Sequence, residues 1–297
     1  MNFSEARKFG NITLIEGRNG GRYPFCNTLL IEGAARVLVD PGCGRRKIQP
    51  VQEQGKVDVI INTHFHLDHV SYNYLFPEAA IYAHRGDIRG FSSVDGYLEA
   101  GVQMPHEARV RWASIIKERF HFLGWIPTRF VEDGEELLFG ETQIRVIHTP
   151  GHTPGHICLH FPDAELLYLG DLDLTPFGPW YGDNFSDIDD TILSVKKIKQ
   201  IKAKWYVTSH EGPLYEDIQE PADVYIRIIE KREQRVLENI KHPATLDELS
   251  KRWIIYRKPR PNEILYLPGE RAMIKKHLER LMRNGKATME GDKYTAV

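Results

Sequence analysis

Cysteine is scarce in this 297-residue chain: Cys26, Cys43 and Cys158 are the only three, odd in number and far apart. That excludes a disulfide framework and a thiolate zinc knuckle. A reducing compartment, the cytoplasm, is the simplest setting. Long apolar runs are missing too. No stretch reaches 18 residues, so no membrane-spanning helix is expected. Met1-Asn2-Phe3-Ser4-Glu5-Ala6-Arg7-Lys8 lacks the apolar core of a secretory signal. Charge of one sign is not in excess either: 39 Lys+Arg against 41 Asp+Glu leave a formal net of −2, which gives no bulk attraction to a polyanion. The apolar fraction of 41% is that of an ordinary globular protein. The length suits one large domain plus a small one.

The charge is unevenly spread. Residues 243–297 hold 12 Lys+Arg and 7 Asp+Glu, a net of +5, and the remainder holds 27 against 34, a net of −7. A basic tail of this size could meet nucleic acid. The preferred reading is a solvated face docked on an acidic body.

What the chain does have is histidine in one place. Thr63-His64-Phe65-His66-Leu67-Asp68-His69 puts three imidazoles and a carboxylate within six residues. The preceding Val57-Asp58-Val59-Ile60-Ile61 reads as a buried strand. Residues two apart at a strand end point the same way, so His64 and His66 can pinch one metal ion. Asp68 and His69 suit a second. Three later candidates each follow a short apolar run: His152 after Ile144–Ile147, Asp171 after Leu166–Gly170, and His210 after Trp205–Ser209. Strand ends of this kind converge on one rim of an α/β sheet. His148, His152, His156 and His160 recur every four residues, but Pro150, Gly151, Pro154 and Gly155 rule out a helix there. Only His152 is retained as a ligand, with His156 expected behind it. His84, His106, His121, His242 and His277 are read as ordinary.

These residues resemble the metallo-β-lactamase superfamily. Its signature His-x-His-x-Asp-His stands as His64, His66, Asp68 and His69, and its later motifs match His152, Asp171 and His210 in the same order. Asp40, in Val37-Leu38-Val39-Asp40-Pro41-Gly42, matches a further motif, a carboxylate behind the ligands; it could orient a ligand imidazole or cap a turn, and the former is preferred. The resemblance covers residues 10–215. It departs at Val70-Ser71, where many members carry glycine, and at Asp173, a second carboxylate beside Asp171. It implies an α/β (α+β) fold, a four-layer αββα sandwich of two mixed sheets over residues 1–220. It also implies two divalent metal ions, Zn²⁺ first and Fe²⁺ or Mn²⁺ as alternatives. His64, His66 and His152 form site one, Asp68, His69 and His210 form site two, and Asp171 bridges. Two adjacent dications turn a shared water into a hydroxide near neutral pH. Asp68 and Asp171 are the catalytic carboxylates.

The expected strands are Ile12 to Ile15, Phe25 to Glu32, Arg36 to Asp40, Ala80 to Ala83, and four more near Leu137, Gln143 to Ile147, His156 to His160 and Leu166 to Leu169. A helix is expected to begin at Tyr72 to Leu75, and another at Asp189 to Lys199. Residues 85–127 lack strand patterning. A helix striped by Val110, Ile115, Ile116 and Phe120 makes this either a lid over the metal rim or an ordinary surface helix pair. Trp180 and Tyr181, with Trp112 and Trp125, could line an apolar substrate pocket, or pack as core. Residues 221–242 read as a connecting helix. Beyond it come a capping box at Thr245 and Glu248, a helix from Gly269 to Asn284, and a hairpin turning at Gly291-Asp292. Together, 243–297 resemble a winged helix.

The function expected is hydrolysis of a small ester, thioester or lactone by a metal-bridging hydroxide. The alternative is a metal-dependent endoribonuclease or phosphodiesterase, with nucleic acid not favoured as partner. Ranked below are a non-enzymatic binding protein and a di-iron oxidoreductase, whose family members carry Glu where His66 stands. True β-lactamase activity is not expected, because no export signal is read. No membrane association is expected, and a homodimer is admitted.

Overall fold

The computed structural model describes residues 6–211, 214–261 and 263–297. Most of the Met1–Lys8 stretch read above lies outside the described residues. Short apolar strands with a period of two build the body. The first half runs β1 (Arg7–Phe9), β2 (Ile12–Ile15), β3 (Thr28–Ile31), β4 (Val37–Val39), α1 (Arg45–Glu53), β5 (Val59–Ile61), α2 (Leu67–Val70), β6 (Ala80–His84), α3 (Ile88–Ser92), α4 (Val94–Ala100), α5 (His106–Arg119) and β7 (Arg129–Val131). Its seven strands pair in chain order, antiparallel as far as β4 and parallel from there on. The second half adds β8 (Glu136–Phe139), β9 (Thr142–His148), β10 (Ile157–Phe161), β11 (Leu166–Tyr168), α6 (Ile188–Ile198) and β12 (Trp205–Val207). Its sheet has the order β12-β11-β10-β9-β8, with only β11 and β12 parallel.

Alternation sorts the side chains into layers. Leu29, Ile31, Val37, Val39, Val59 and Ile61 face inward and meet Ile144, Val146, Ile157, Leu159 and Tyr168 of the other sheet. The residues between them, Leu30, Leu38 and Ile60, face outward onto Ile48 and Val51 of α1. On the far side, Cys158, Leu167 and Tyr206 face Val195 and Ile198 of α6. Each such aliphatic side chain contributes about 1.5–3 kcal/mol by leaving water. The outcome is the four-layer αββα sandwich.

The chain closes with α7 (Gln219–Asn239), β13 (Ala244–Thr245), α8 (Leu246–Ser250), α9 (Glu263–Arg283), β14 (Ala287–Glu290) and β15 (Lys293–Ala296). The last three strands form a small sheet of order β13-β15-β14. This segment shares one core with the body: Tyr181 and Ile188 pack with Ile229, Val236, Leu249, Met273, Leu278 and Leu281. Its basic side chains also turn to the body. Arg280 pairs with Asp189 (2.6 Å) and Glu233, and Arg283 pairs with Asp189 (2.9 Å) and Asp187 (3.2 Å). Among the described residues no helix is long and apolar enough to cross a membrane.

Several expectations need correction. The helix after the metal loop starts within it, at Leu67, and Asn73–Leu75 is a separate 3₁₀ turn. Segment 85–127 is helical, but of the proposed α5 stripe only Ile116 is buried, and Val110 is 56% exposed. The segment packs Phe91, Leu98 and Phe122 behind Phe65 and Leu67, with Trp112 and Trp125 half-buried in the same cluster, so it buttresses the metal loop. Helix α9 begins at Glu263 and runs through Pro268. Tyr181 is fully buried and belongs to the core, not to a pocket wall.

Candidate metal centre

The predicted ligands meet at one rim of the sandwich. Strand β5 ends in Asn62 and Thr63, and the turn into α2 delivers His64, His66, Asp68 and His69. The loop after β9 brings His152, the turn after β11 brings Asp171, and the end of β12 brings His210. Donor atoms of His64, His66, His152 and Asp171 lie within 4.8 Å of one another, as do those of Asp68, His69 and His210. Asp171 stands between the two groups. Its Oδ2 is 3.2 Å from His152 Nε2 and 3.7 Å from His64 Nε2, and its Oδ1 is 3.0 Å from His69 Nε2 and 3.4 Å from His210 Nε2. Asp173 stands at the edge of the second group: one of its oxygens lies within 4.8 Å of donor atoms of Asp171 and His210, and its Oδ1 accepts from the His210 backbone N–H (3.0 Å).

The orientation of each ring is fixed from behind. Asp40, fully buried at φ +47°, accepts from the Thr63 N–H (2.8 Å) and from the Thr63 hydroxyl (2.6 Å). A non-glycine residue in that conformation is strained, as is common where a site over-determines the backbone. The hydroxyl has one hydrogen, and it is spent on Asp40. Thr63 Oγ1 therefore accepts from His64 Nδ1 (3.0 Å), leaving His64 Nε2 as a lone pair. Asp40 Oδ2 also accepts from His69 Nδ1 (2.9 Å). His66 donates Nε2–H to Asp183 (2.6 Å), His152 donates Nδ1–H to the Trp180 carbonyl (3.1 Å), and His210 donates Nδ1–H to the Gly21 carbonyl (2.6 Å). Five imidazoles thus spend their hydrogens outward and turn bare nitrogens inward. His66 Nδ1 and His152 Nε2 approach to 3.0 Å, and His69 and His210 Nε2 to 3.3 Å.

Lone pairs so close together repel unless a cation lies among them. His64 Nε2 and Asp171 Oδ1 are buried without a hydrogen-bond partner, an expensive condition for polar atoms. Nitrogen and carboxylate donors suit a divalent transition metal. The residues fit a metal pair. The carboxylates favour positive charge on this rim: burial lowers the His69 imidazole, but Asp171, Asp40 and Asp68 overcome it and push it up to about 10, so that without an ion a proton takes the His69 lone pair that a metal would compete for. His64 is held well below the ordinary histidine range, by burial and by His69 beside it.

Other residues support the ligands without joining them. His156 Nε2 accepts from the Asp171 backbone N–H (3.0 Å), so it fixes the central carboxylate. Gly42 is required: a Cβ there would fall 1.6 Å from the Asp68 carbonyl, because the Asp40 loop and the metal loop touch backbone to backbone. Two carboxylates escaped the sequence reading. Asp183 holds His66 from 117 residues away. Asp87, fully buried, accepts from Phe65 N–H (3.2 Å), Thr153 Oγ1 (2.8 Å) and Gly155 N–H (2.6 Å), tying the two ligand loops together. Trp180, proposed for substrate, is half-buried and packs its indole toward Gly182 and Gly269.

Comparison with known proteins agrees with this geometry. The profile of the metallo-beta-lactamase superfamily matches residues 21–210. The beta-lactamase-like protein 2 homolog of Caenorhabditis elegans is 27% identical over 243 residues, 77% of this chain and 71% of that one. The human acyl-coenzyme A thioesterase MBLAC2 is 27% identical over 166 residues, 49% of this chain; the chain spans only 57% of that enzyme's length. A metallo-beta-lactamase family protein from Thermus thermophilus has the same fold, with a TM-score of 0.73 at 22% identity over 97% of this chain and 99% of that one. With its sandwich, its rim of inward nitrogens and carboxylates, and a profile match across most of its length, this chain belongs to the metallo-beta-lactamase superfamily and is a metallohydrolase.

Proposed function

We propose that the chain is a binuclear hydrolase of small esters, thioesters or lactones, and that a thioester is its substrate. One observation carries the reading: five imidazole nitrogens and two carboxylates turn inward on one rim, with Asp171 between two ligand groups. In this reading His64, His66 and His152 would hold one ion, Asp68, His69 and His210 would hold the other, and Asp171 would serve both. Bound there, a pair of dications, Zn²⁺ by preference and Fe²⁺ or Mn²⁺ as alternatives, supplies Lewis acidity and an acidified water. The chain's own residues do the rest. Asp40, Thr63 and Asp183 lock three imidazoles in the tautomer that presents a lone pair. His156 holds the Asp171 turn. Asp68 is the acceptor for a proton released during turnover, and Asp171 is the shared carboxylate.

The thioester is favoured by the activity named for the human relative. Nuclease action ranks second. The order α7, β13, α8, α9, β14, β15 supports a winged-helix-like reading of 243–297, but Arg271, Arg280 and Arg283 are engaged in ion pairs within the chain. The division into 1–220, 221–242 and 243–297 is kept, with Tyr181 and Ile188 lent to the third unit's core. Three free, buried cysteines fit a cytoplasmic setting.

The test strips the purified chain of metal, reloads it with Zn²⁺, Fe²⁺ or Mn²⁺, and offers acyl-coenzyme A thioesters, lactones, aryl esters and RNA. Metal-dependent thioester turnover, abolished by chelator, is the expected result. A loaded chain that leaves every thioester intact sinks the proposal, and RNA cleavage alone moves the second reading to first place.

A further inference from the structure

An arginine inside the protein grips the loop that follows Asp171. Arg232 on α7 is 1% exposed, among the largest side chains fully buried in the chain. Burying a guanidinium is costly unless its donors are met. Here they are met by one short loop. Arg232 donates to the Phe177 carbonyl (2.6 Å), the Pro179 carbonyl (2.7 Å) and the Tyr181 hydroxyl (3.0 Å). The guanidinium also lies 4.7 Å from the centroid of the Phe177 ring. Tyr181 Oη in turn is 2.8 Å from His277 Nε2 on α9. Gly178, at φ +89°, leaves no room for a side chain: its Cβ would sit 2.5 Å from Ile228 Cγ2 of α7. A Cβ at Gly182 or Gly269 would come within 2.7 Å of the Trp180 ring, so loop and α9 close on that indole from two sides.

The loop is therefore held at 177, 179 and 181, on both sides of the peptide at 180. That peptide carries the carbonyl to which His152 donates its Nδ1 hydrogen (3.1 Å). A neutral imidazole has two tautomers, and the partner of one nitrogen decides which lone pair the other presents. We propose that Arg232 is a positioning residue of the metal centre: by fixing loop 177–181 it holds the Trp180 carbonyl where it keeps His152 Nε2 bare and aimed at the other ligands. The C-terminal helices then belong to the geometry of the site. This rests on the metal reading above and adds to it a residue far from His152 in sequence.

The test uses the full chain, as wild type and as Arg232→Met, Arg232→Lys and Tyr181→Phe. Co²⁺ is titrated against a competing chelator and followed by its visible absorption, and the metal-free proteins are melted in parallel. Wild type is expected to take two equivalents. In Arg232→Met one equivalent weakens on the order of 10–100-fold, the loss usual for a partner behind a metal-bound histidine. The other equivalent is unchanged, Arg232→Lys restores part of the loss, and Tyr181→Phe shifts the same equivalent by less. A folded Arg232→Met that holds both ions as tightly as wild type overturns the proposal. So does a variant that weakens both equivalents alike while its metal-free melting drops, since that marks a general structural role. If Arg232→Met does not fold, Tyr181→Phe decides by the same two readouts. A wild-type chain that takes up no Co²⁺ is a different result, and it defeats the metal reading itself.

Discussion

Thr63 has one hydroxyl hydrogen, and its destination decides the tautomer of His64. Replacing it with valine keeps the shape and removes the relay. Thr63→Val is expected to weaken metal binding roughly 10–100-fold, read by competitive chelation; unchanged affinity would show that the relay is idle. Asp171→Ala removes the only carboxylate shared by both groups. It should abolish turnover and lower metal content while far-ultraviolet circular dichroism stays that of the wild type, and retained activity would refute the shared role. His84 offers a pH test outside the site. Burial and the stacked ring of His148, 3.9 Å away, lower its imidazole to about 4, and its neutral Nδ1 accepts the Gly86 N–H at the start of a short turn. Its folded-state value lies below the unfolded value of about 6.5. Its contribution is thus present above the unfolded value and lost as pH falls through about 4. His84→Gln should flatten the fall in stability between those limits, measured by urea midpoints; parallel curves for variant and wild type would refute this.

Among the elements, those with a pattern were legible and those held by distant contacts were not. The Thr245 and Glu248 spacing announced a capping box, and both of its hydrogen bonds form at the start of α8. Thr245→Ala should cost about 1 kcal/mol of stability and leave turnover unchanged; a loss of turnover would mean that α8 reaches the site. Most strands of both sheets were visible because their apolar residues alternate or run together; β1 (Arg7–Phe9), charged at two of its three positions, was not. Helix α1 was not: it contains Pro50, starts at Gly44 without a capping side chain, and buries only Ile48 and Val51. Strand β7 has three residues and no alternation to read. Helix α9 starts before Gly269: Pro268 and Gly269 resemble a break in sequence, while Met273 and Ile274, buried in the core, hold the helix beyond it. At the site, the seven residues proposed as ligands do lie together on one rim, and each follows a strand end, which leaves a local signal in the sequence. Asp183 and Asp87 were not, since each acts on residues far along the chain and neither has a neighbour in sequence to mark it.

At the level of the whole molecule, metal and fold are one equilibrium. A ligand that binds only the folded chain stabilises it by about 4 kcal/mol at a thousand times its dissociation constant. Chelation should therefore lower the melting temperature by several degrees, and added Zn²⁺ should restore it; a melting curve indifferent to chelator would separate the cluster from stability. Hydroxyl, carboxylate and carbonyl groups from separate stretches of chain aim the five ring nitrogens, so the cup has its shape from protein alone. Ions of similar radius meet the same cup, and their ranking comes from their own coordination chemistry, with copper(II) ahead of zinc(II), and iron(II) and manganese(II) behind. The ion recovered with the chain is then a record of supply: cultures enriched in one transition element should yield protein carrying that element.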